Sequence, residues 1–265
     1  MSLAVEVDDL TYSFPHTTKP SLANITLNIP WNTRTLVVGS NGAGKSTLLK
    51  LLSGKHLCLN GRILVNGLDP FSPASMQKDA EDCQITTYLG TEWCHMSIIN
   101  RDIGILELLN SIGFEHYRER GEELISILDI DLEWRMHRLS DGQKRRVQLT
   151  MGLLKPWKVL LLDEVTVDLD VVARSKLLDF LEKETRTRRC SVVYATHIFD
   201  GLSHWPDRVI HIKGGKIVQE LDYHKNVSFT KENDDVVEQD GNVQIGRVKS
   251  LHPLALKWLK KDEGK

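Results

Sequence analysis

Residues 39–47 read GSNGAGKST, and this stretch decides the fold that we expect for the chain. It matches the pattern G-x-x-x-x-G-K-[ST], follows the apolar run RTLVVG at 34–39 and opens the helical pattern KSTLLKLLSG at 45–54. Glycines let the backbone turn so that successive N–H groups face one anion, and a helix N-terminus adds partial positive charge. The sequence therefore predicts a phosphate-binding loop between a buried strand and a helix.

The residues of this loop are expected to surround the phosphates of a nucleotide. They are Gly39, Ser40, Asn41, Gly42, Ala43, Gly44, Lys45, Ser46 and Thr47. In this motif the lysine reaches the β- and γ-phosphates and the hydroxyl after it ligates Mg²⁺, which gives these roles to Lys45 and Ser46. The expected ligands are therefore a nucleoside triphosphate and Mg²⁺.

Polar side chains end two further apolar runs. KVLLLDE at 158–164 reads as a buried strand with two carboxylates at its C-terminal end, where α/β sheets bind ligands. We expect Asp163 to hold the magnesium shell and Glu164 to polarise the attacking water as a general base. CSVVYATH at 190–197 is a similar strand that ends in His197, which is placed to stabilise charge at the γ-phosphate. Glu164 and His197 are therefore the predicted catalytic residues.

A second glycine-bearing turn, LSDGQ at 139–143, opens onto a predicted helix that ends at Pro156. A serine hydroxyl, a glycine amide and a helix dipole together make an anion site, so Ser140, Gly142 and Gln143 are predicted to contact nucleotide. The first loop already covers one side of its nucleotide, and this turn belongs to a different lobe. Two molecules packed head to tail would let each turn close the other molecule's site. The sequence therefore predicts a nucleotide-dependent homodimer.

The motifs resemble, in order and spacing, those of the nucleotide-binding domain of ABC ATPases over residues 3–220. They are GSNGAGKST, LSDGQ, VLLLDE, VDLD and ATH. The resemblance implies an α/β P-loop NTPase fold with a RecA-like core, an N-terminal antiparallel β part and an α-helical lobe at about 93–156. It also implies that Asp170 lies in the loop that crosses the dimer interface, and that Phe14 stacks on adenine. Tyr12 is the alternative for that stacking role, and a core aromatic is the alternative for either residue.

The chain departs from the family pattern at several positions. Asp141 replaces the usual first glycine of the second turn, and Val165 replaces a common proline. The family's glutamine is expected near residue 90, where this chain has Gly90; Gln84 comes too early, and Glu92 is a conceivable substitute. In transporters that glutamine links magnesium to the groove that holds the membrane subunits. Its absence weakens the expectation of transport coupling.

Two regions outside the motifs carry separate predictions. Residues 68–84 mix proline, serine and acidic residues and are predicted as an exposed loop. Residues 221–265 are predicted as a partly flexible C-terminal extension that ends in an amphipathic helix within 252–261. On one face of that helix fall Leu254, Ala255, Trp258 and Leu259. The helix either docks on the chain's own core or binds a partner.

Composition excludes several classes of protein. The 265 residues carry a net charge near −2, which gives no strong field for nucleic acid or an anionic membrane. The sequence contains no run of eighteen apolar residues, so no membrane-spanning helix is predicted. The N-terminus lacks the basic region of a signal peptide. Four cysteines without C-x-x-C spacing indicate reduced thiols in the cytosol or nucleus, and Cys94-His95 has no second pair to complete a metal site.

The whole chain also resembles small soluble ABC ATPases of fungi and the I subfamily of plants. The resemblance rests on LGTEWCHMSIINRDIG, LLLDEVTVDLDVVAR and SLHPLALKWLK. It implies an ATPase of the cytoplasm and nucleus whose partner is a protein complex of the transcription or mRNA regulatory machinery, the carbon-catabolite-repression–NOT type. We therefore expect an ATP-driven dimerising switch. The alternatives are the ATP-binding subunit of a membrane transporter, or a module that binds ATP without hydrolysis, which Glu164 and His197 argue against.

Overall fold

The computed structural model describes residues 2–76, 83–90, 101–199, 201–230, 236–239, 241–246 and 251–262. Their strands are β1 Val5–Tyr12, β2 Leu22–Ile29, β3 Arg34–Val38, β4 Asn60–Val65, β5 Gln84–Leu89, β6 Trp157–Asp163, β7 Ser191–Ala195, β8 Arg208–Lys213, β9 Lys216–Asp222, β10 Val227–Thr230, β11 Val236–Gln239 and β12 Asn242–Gly246. Their α-helices are α1 Lys45–Leu52, α2 Ile105–Ser111, α3 Arg118–Leu128, α4 Asp141–Leu154, α5 Val171–Thr187, α6 Tyr223–Asn226 and α7 His252–Asp262.

The central sheet has the strand order β5-β6-β7-β3-β8-β9 and is parallel except for β9, which pairs antiparallel with β8. Every residue of β3, β6 and β7 is buried, as expected for parallel strands that are covered on both faces. The carboxyl ends of these three strands meet at one edge of the sheet. That edge therefore brings together the phosphate loop after Val38 and the polar residues after Asp163 and Ala195.

A separate antiparallel sheet, with the order β2-β1-β4, forms the N-terminal β part. Its inward side chains share one hydrophobic core with α1 and with one face of the central sheet. Helix α1 contributes Leu48, Leu49, Leu51 and Leu52 to that core, which fixes the helix behind the phosphate loop. Burial of several leucines of this size stabilises the placement by about 1.5–3 kcal/mol for each side chain.

Helices α2, α3 and α4 form the helical lobe, and their apolar faces share the second core of the molecule. Helix α2 begins at Ile105, because Gly104 before it is extended, with φ −71° and ψ 146°, and bridges to Arg135. Helix α3 ends at Leu128, where Asp129 adopts a left-handed conformation with φ 51°. The predicted start of the lobe at residue 93 lies outside the described residues.

The structure has β-strands in two regions where the sequence predicted loop or partly flexible chain. Strand β5 begins at Gln84, the last residue of the predicted loop 68–84. It was missed because its polar threonines obscure the apolar alternation and because, in the part of the chain that the structure describes, it pairs with β6 alone. The extension after residue 221 contains a small sheet of order β10-β12-β11. Its parallel pair β10–β12 joins strands distant in sequence, a pairing that local patterns do not reveal.

Helix α7 docks on its own chain, the first of the two alternatives that its sequence left open. Trp258 is buried and stacks on His211 of β8, with ring centroids 4.5 Å apart and an interplanar angle of 6°. Leu254 and Ala255 are buried beside it, and Leu259 is half-buried. The division of the chain at residue 220 into a domain and an extension stays a prediction.

Candidate nucleotide-binding site

The phosphate loop connects the end of β3 at Val38 to the start of α1 at Lys45. Gly44 precedes the helix with φ 109°, and a Cβ atom there would lie 2.7 Å from Leu22 Cδ2. Only glycine therefore fits where the loop turns against β2. The turn between β8 and β9 supports the loop from the other side, since the Gly215 N–H donates to the Ala43 carbonyl at 3.0 Å.

Lys45 places a positive charge inside this loop. Its Nζ donates to the carbonyl oxygens of Gly39 at 2.7 Å and Ser40 at 3.1 Å, and only 7% of the residue is exposed. Burial lowers the pKa of Lys45, while the carboxylates of Glu164 and Asp163 oppose that shift. The first turn of α1 also leaves backbone N–H groups without intrahelical partners. A buried cation beside such N–H groups fits a phosphate ligand.

Asp163 ends β6 beside the loop, and each of its carboxylate oxygens accepts one hydroxyl. The Ser46 hydroxyl donates to Oδ1 at 2.9 Å, and the Tyr88 hydroxyl donates to Oδ2 at 2.9 Å. A serine hydroxyl beside a buried carboxylate is a hard-oxygen donor pair that suits Mg²⁺. The predicted metal ligands, Ser46 and Asp163, are therefore adjacent. Tyr88 was missed at the sequence level because its strand was not recognised.

Glu164 and His197, the predicted catalytic residues, are in direct contact. His197 Nδ1 lies 2.7 Å from Glu164 Oε2, and the His197 backbone N–H donates to the same oxygen at 3.3 Å. Glu164 has φ 55°, a left-handed conformation that costs energy for a residue other than glycine. Its N–H donates to the Ala195 carbonyl at 2.9 Å, which holds that conformation in place. The ends of β6 and β7 thus aim one carboxylate toward the loop.

A cleft of about 310 Å³ lies over the phosphate loop and is bordered by Glu164. Its lining residues are Phe14, Ser21, Asn41, Gly42, Ala43, Gly44, Lys45, Ser46, Thr47 and Glu164. Phe14 is 37% exposed and meets the half-buried Tyr12 edge-on, with ring centroids 5.2 Å apart. Tyr12 in turn stacks on His56 at 5.6 Å and an interplanar angle of 23°. Because one face of the Tyr12 ring is taken by His56, this arrangement favours Phe14 for stacking on a base.

The turn at Ser140 is built differently. Ser140 caps α4 in a reciprocal arrangement, in which its Oγ accepts from the Gln143 N–H at 3.3 Å and Gln143 Oε1 accepts from the Ser140 N–H at 2.9 Å. Ser140 is exposed, and Asp141 beside it is 90% exposed at its side chain. In the described part of the chain, no residue of this turn lines the cleft. Ser140, Gly142 and Gln143 therefore do not meet the phosphate loop of their own molecule.

Asp170 lies outside the cleft as well. It caps α5 by accepting from the N–H groups of Val172 at 3.0 Å and Ala173 at 2.9 Å, and it pairs with Arg146 of α4 at 2.8 Å. The Ala173 N–H lowers the pKa of Asp170, and Arg146 adds to the shift. Asp170 thus ties the loop after β6 to the helix that carries the Ser140 turn.

Three residues that the sequence offered as candidate site residues lie outside the described part of the chain. They are Glu92, Cys94 and His95. Val165, which stands where the family has proline, is fully buried in the core of the helical lobe.

The sequence profile of the family described as "ABC transporter" matches residues 22–167. The chain belongs to this family. This ABC protein is 69% identical to CCR4-associated factor 16 of Saccharomyces cerevisiae, over 98% of this chain and 95% of the relative. It is 41% identical to ABC transporter I family member 20 of Arabidopsis thaliana, over 86% of this chain and 73% of the relative.

Solved structures agree with the fold. An ATP-binding cassette solved as a dimer in a post-hydrolysis state, bound to ADP and Pi, superposes with a TM-score of 0.67 at 21% identity, over 82% of this chain and 98% of the other. The predicted α/β P-loop fold of the ABC type is therefore confirmed. Among the described residues, no helix has the length and apolar character that crossing a membrane requires.

Proposed function

We propose that this ABC protein binds Mg-ATP in the cleft and hydrolyses it. The observation that carries the proposal is the convergence of Lys45, the Ser46–Asp163 pair and the Glu164–His197 pair at one edge of the sheet. Lys45 and the loop N–H groups would hold the phosphates, while Ser46 and Asp163 would hold Mg²⁺. The metal supplies charge neutralisation on the phosphoryl oxygens during transfer.

Within this proposal Glu164 is the general base and His197 its support. The carboxylate would accept a proton from a water molecule aligned with the terminal phosphate. The imidazole contacts Glu164 at 2.7 Å, and its side chain is 55% exposed. His197 would thus orient the carboxylate through Nδ1, and with both ring nitrogens protonated it would also donate from Nε2 toward the phosphoryl oxygens.

The catalytic role of Glu164 should be tested by phosphate release. Glu164→Gln keeps the shape of the side chain but removes the base, so we expect turnover to fall by about 100-fold or more. The matched control is Glu122→Gln, an exposed carboxylate of α3 that pairs with Arg118 on the helix surface. Unchanged turnover of Glu164→Gln, or a purified wild-type protein that releases no phosphate from Mg-ATP, would refute the proposal.

We further propose a head-to-tail homodimer in which the Ser140 turn of one copy closes the cleft of the other. Three valines beside Asp170 are exposed although they are apolar: Val167 at 43%, Val171 at 75% and Val172 at 63%. Exposed apolar side chains close together support a surface that another molecule covers. They flank residues 168–170, and a Cβ atom on Gly142 of the Ser140 turn would lie 3.4 Å from the Asp168 carbonyl oxygen, which supports one surface shared with that turn.

The partner that we propose is a protein complex of the transcription or mRNA regulatory machinery, with the cytoplasm and nucleus as the expected compartments. The support is the printed name of the yeast relative, a CCR4-associated factor. The test is affinity purification of the Glu164→Gln form with Mg-ATP, which should trap the closed state, followed by identification of the bound proteins. Recovery of regulatory-complex subunits would support the proposal, whereas recovery of membrane subunits would favour the transporter alternative.

A further inference from the structure

Tyr88 lies near the end of β5, two residues before the glycine that stands where the family pattern has glutamine. Its hydroxyl donates to Asp163 Oδ2 at 2.9 Å, while Ser46 donates to Asp163 Oδ1 at 2.9 Å. The two donors hold the carboxylate from opposite sides. Because both oxygens are engaged, rotation of the Asp163 side chain would break one of these hydrogen bonds. The orientation of the predicted metal carboxylate therefore depends on Tyr88.

Gly90 makes room for that arrangement. A Cβ atom on Gly90 would lie 2.5 Å from the Tyr88 hydroxyl oxygen and 2.8 Å from Cζ of the same ring. A Cβ atom cannot approach the Tyr88 ring this closely, so the ring would have to shift. A side chain at position 90 would therefore move the Tyr88 hydroxyl away from Asp163. The requirement for glycine here is one of space. Tyr88 and Gly90 thus form a matched pair.

The pair also connects Asp163 to the helical lobe. The Gly90 carbonyl accepts from Arg145 Nη1 at 2.9 Å and from Gln148 Nε2 at 2.9 Å, and both of these α4 side chains are buried. Helix α4 begins at the exposed Ser140 turn. A continuous series of contacts therefore runs from that turn along α4 to Gly90, Tyr88 and Asp163.

We propose that Tyr88 is a positioning residue for magnesium, which fixes the Asp163 carboxylate and couples it to α4 through Gly90. This inference rests on the proposed function, since it assigns Mg²⁺ to Ser46 and Asp163. When one oxygen of a carboxylate binds a metal ion, a hydrogen bond to the other oxygen orients the carboxylate. The side chain then loses less conformational freedom when the ion binds. Tyr88 itself need not touch the ion.

The test measures how binding of a fluorescent ATP analogue depends on magnesium. Tyr88→Phe removes only the hydroxyl, so we expect the half-saturating Mg²⁺ concentration to rise by about tenfold. Affinity for the analogue without Mg²⁺ and the thermal unfolding midpoint should stay close to wild type. The matched control is Tyr223→Phe, since the buried Tyr223 hydroxyl has no hydrogen-bond partner within the described residues.

A second variant tests the pair. Gly90→Ala keeps the Tyr88 hydroxyl but displaces the ring, so it should raise the half-saturating Mg²⁺ concentration in the same direction as Tyr88→Phe. Equal magnesium dependence of Tyr88→Phe and wild type would overturn the inference. So would an affinity loss that is the same with and without Mg²⁺, because that loss would indicate general damage to the cleft. If wild type itself bound the analogue without any response to Mg²⁺, the proposed function would fail before this inference was reached.

Discussion

The phosphate loop and the Ser140 turn are both short glycine-bearing turns that open onto a helix, yet their surroundings differ. The loop encloses a buried lysine, borders Asp163 and lines a cleft. The Ser140 turn is exposed, and its serine and Gln143 satisfy each other. The phosphate loop thus lines a cleft built from its own molecule. The Ser140 turn has the chemistry of an anion site but, among the described residues, lines no part of that cleft, which is the basis for proposing a second copy.

The largest effect is expected at the phosphate loop. Lys45→Ala removes a charge-assisted contact to phosphate, so ATP affinity should weaken by about 2–3 kcal/mol, a factor of about 100. Equilibrium binding of a fluorescent nucleotide would measure this loss in dilute protein. Lys50→Ala, a change in the same helix at a lysine that does not line the cleft, is the control. An affinity unaffected by Lys45→Ala would place the nucleotide elsewhere.

The second effect separates the two turns. Ser140→Arg should remove most of the turnover but leave ATP binding to a single chain intact, because the arginine would obstruct only the partner's cleft. An equimolar mixture of Lys45→Ala and Ser140→Arg chains should recover roughly one quarter of wild-type turnover, since half of the dimers would be mixed and each of these would hold one intact site. Phosphate release from the mixture measures the recovery.

Ser111→Arg, at another exposed serine of the helical lobe, controls for the added charge. If the mixture stayed inactive while the Ser140→Arg chain still bound ATP, sites shared between copies would be ruled out.

The smallest effect concerns the turn as a helix cap. Ser140→Ala removes the cap of α4, so the free energy of unfolding should fall by about 1 kcal/mol. Urea denaturation of the nucleotide-free chain measures this difference. An unchanged free energy of unfolding would contradict the capping geometry. A loss of turnover in the same variant would report separately on the proposed site between copies.

The sequence sufficed for features that are local. The phosphate loop, the carboxylates after β6 and His197 after β7 follow from short motifs, because in a parallel sheet the carboxyl ends of neighbouring strands lie at one edge. The fold class followed from the same motifs and from the family resemblance. Helix α1 and helix α4 were likewise predicted from their apolar periodicity and flanking residues.

Features that depend on distant pairing were not predictable. The contact of Tyr88 with Asp163 requires the register of β5 against β6, which aligns Tyr88 with Leu161. The role of Gly90 appears only when the ring of Tyr88 is placed in space. Asp170 was assigned to an interface loop, but its contacts within one chain to the start of α5 and to Arg146 needed the folded structure. Docking of Trp258 on His211 joins residues 47 positions apart in the chain, which no local pattern indicates.

The central claim is that two copies of the chain share each nucleotide. Its most direct test is the molar mass of Glu164→Gln in solution, measured by light scattering after gel filtration with and without Mg-ATP. The account predicts a change from the 30.1 kDa chain to twice that mass when Mg-ATP is present. A protein that binds Mg-ATP but keeps the mass of one chain would contradict it.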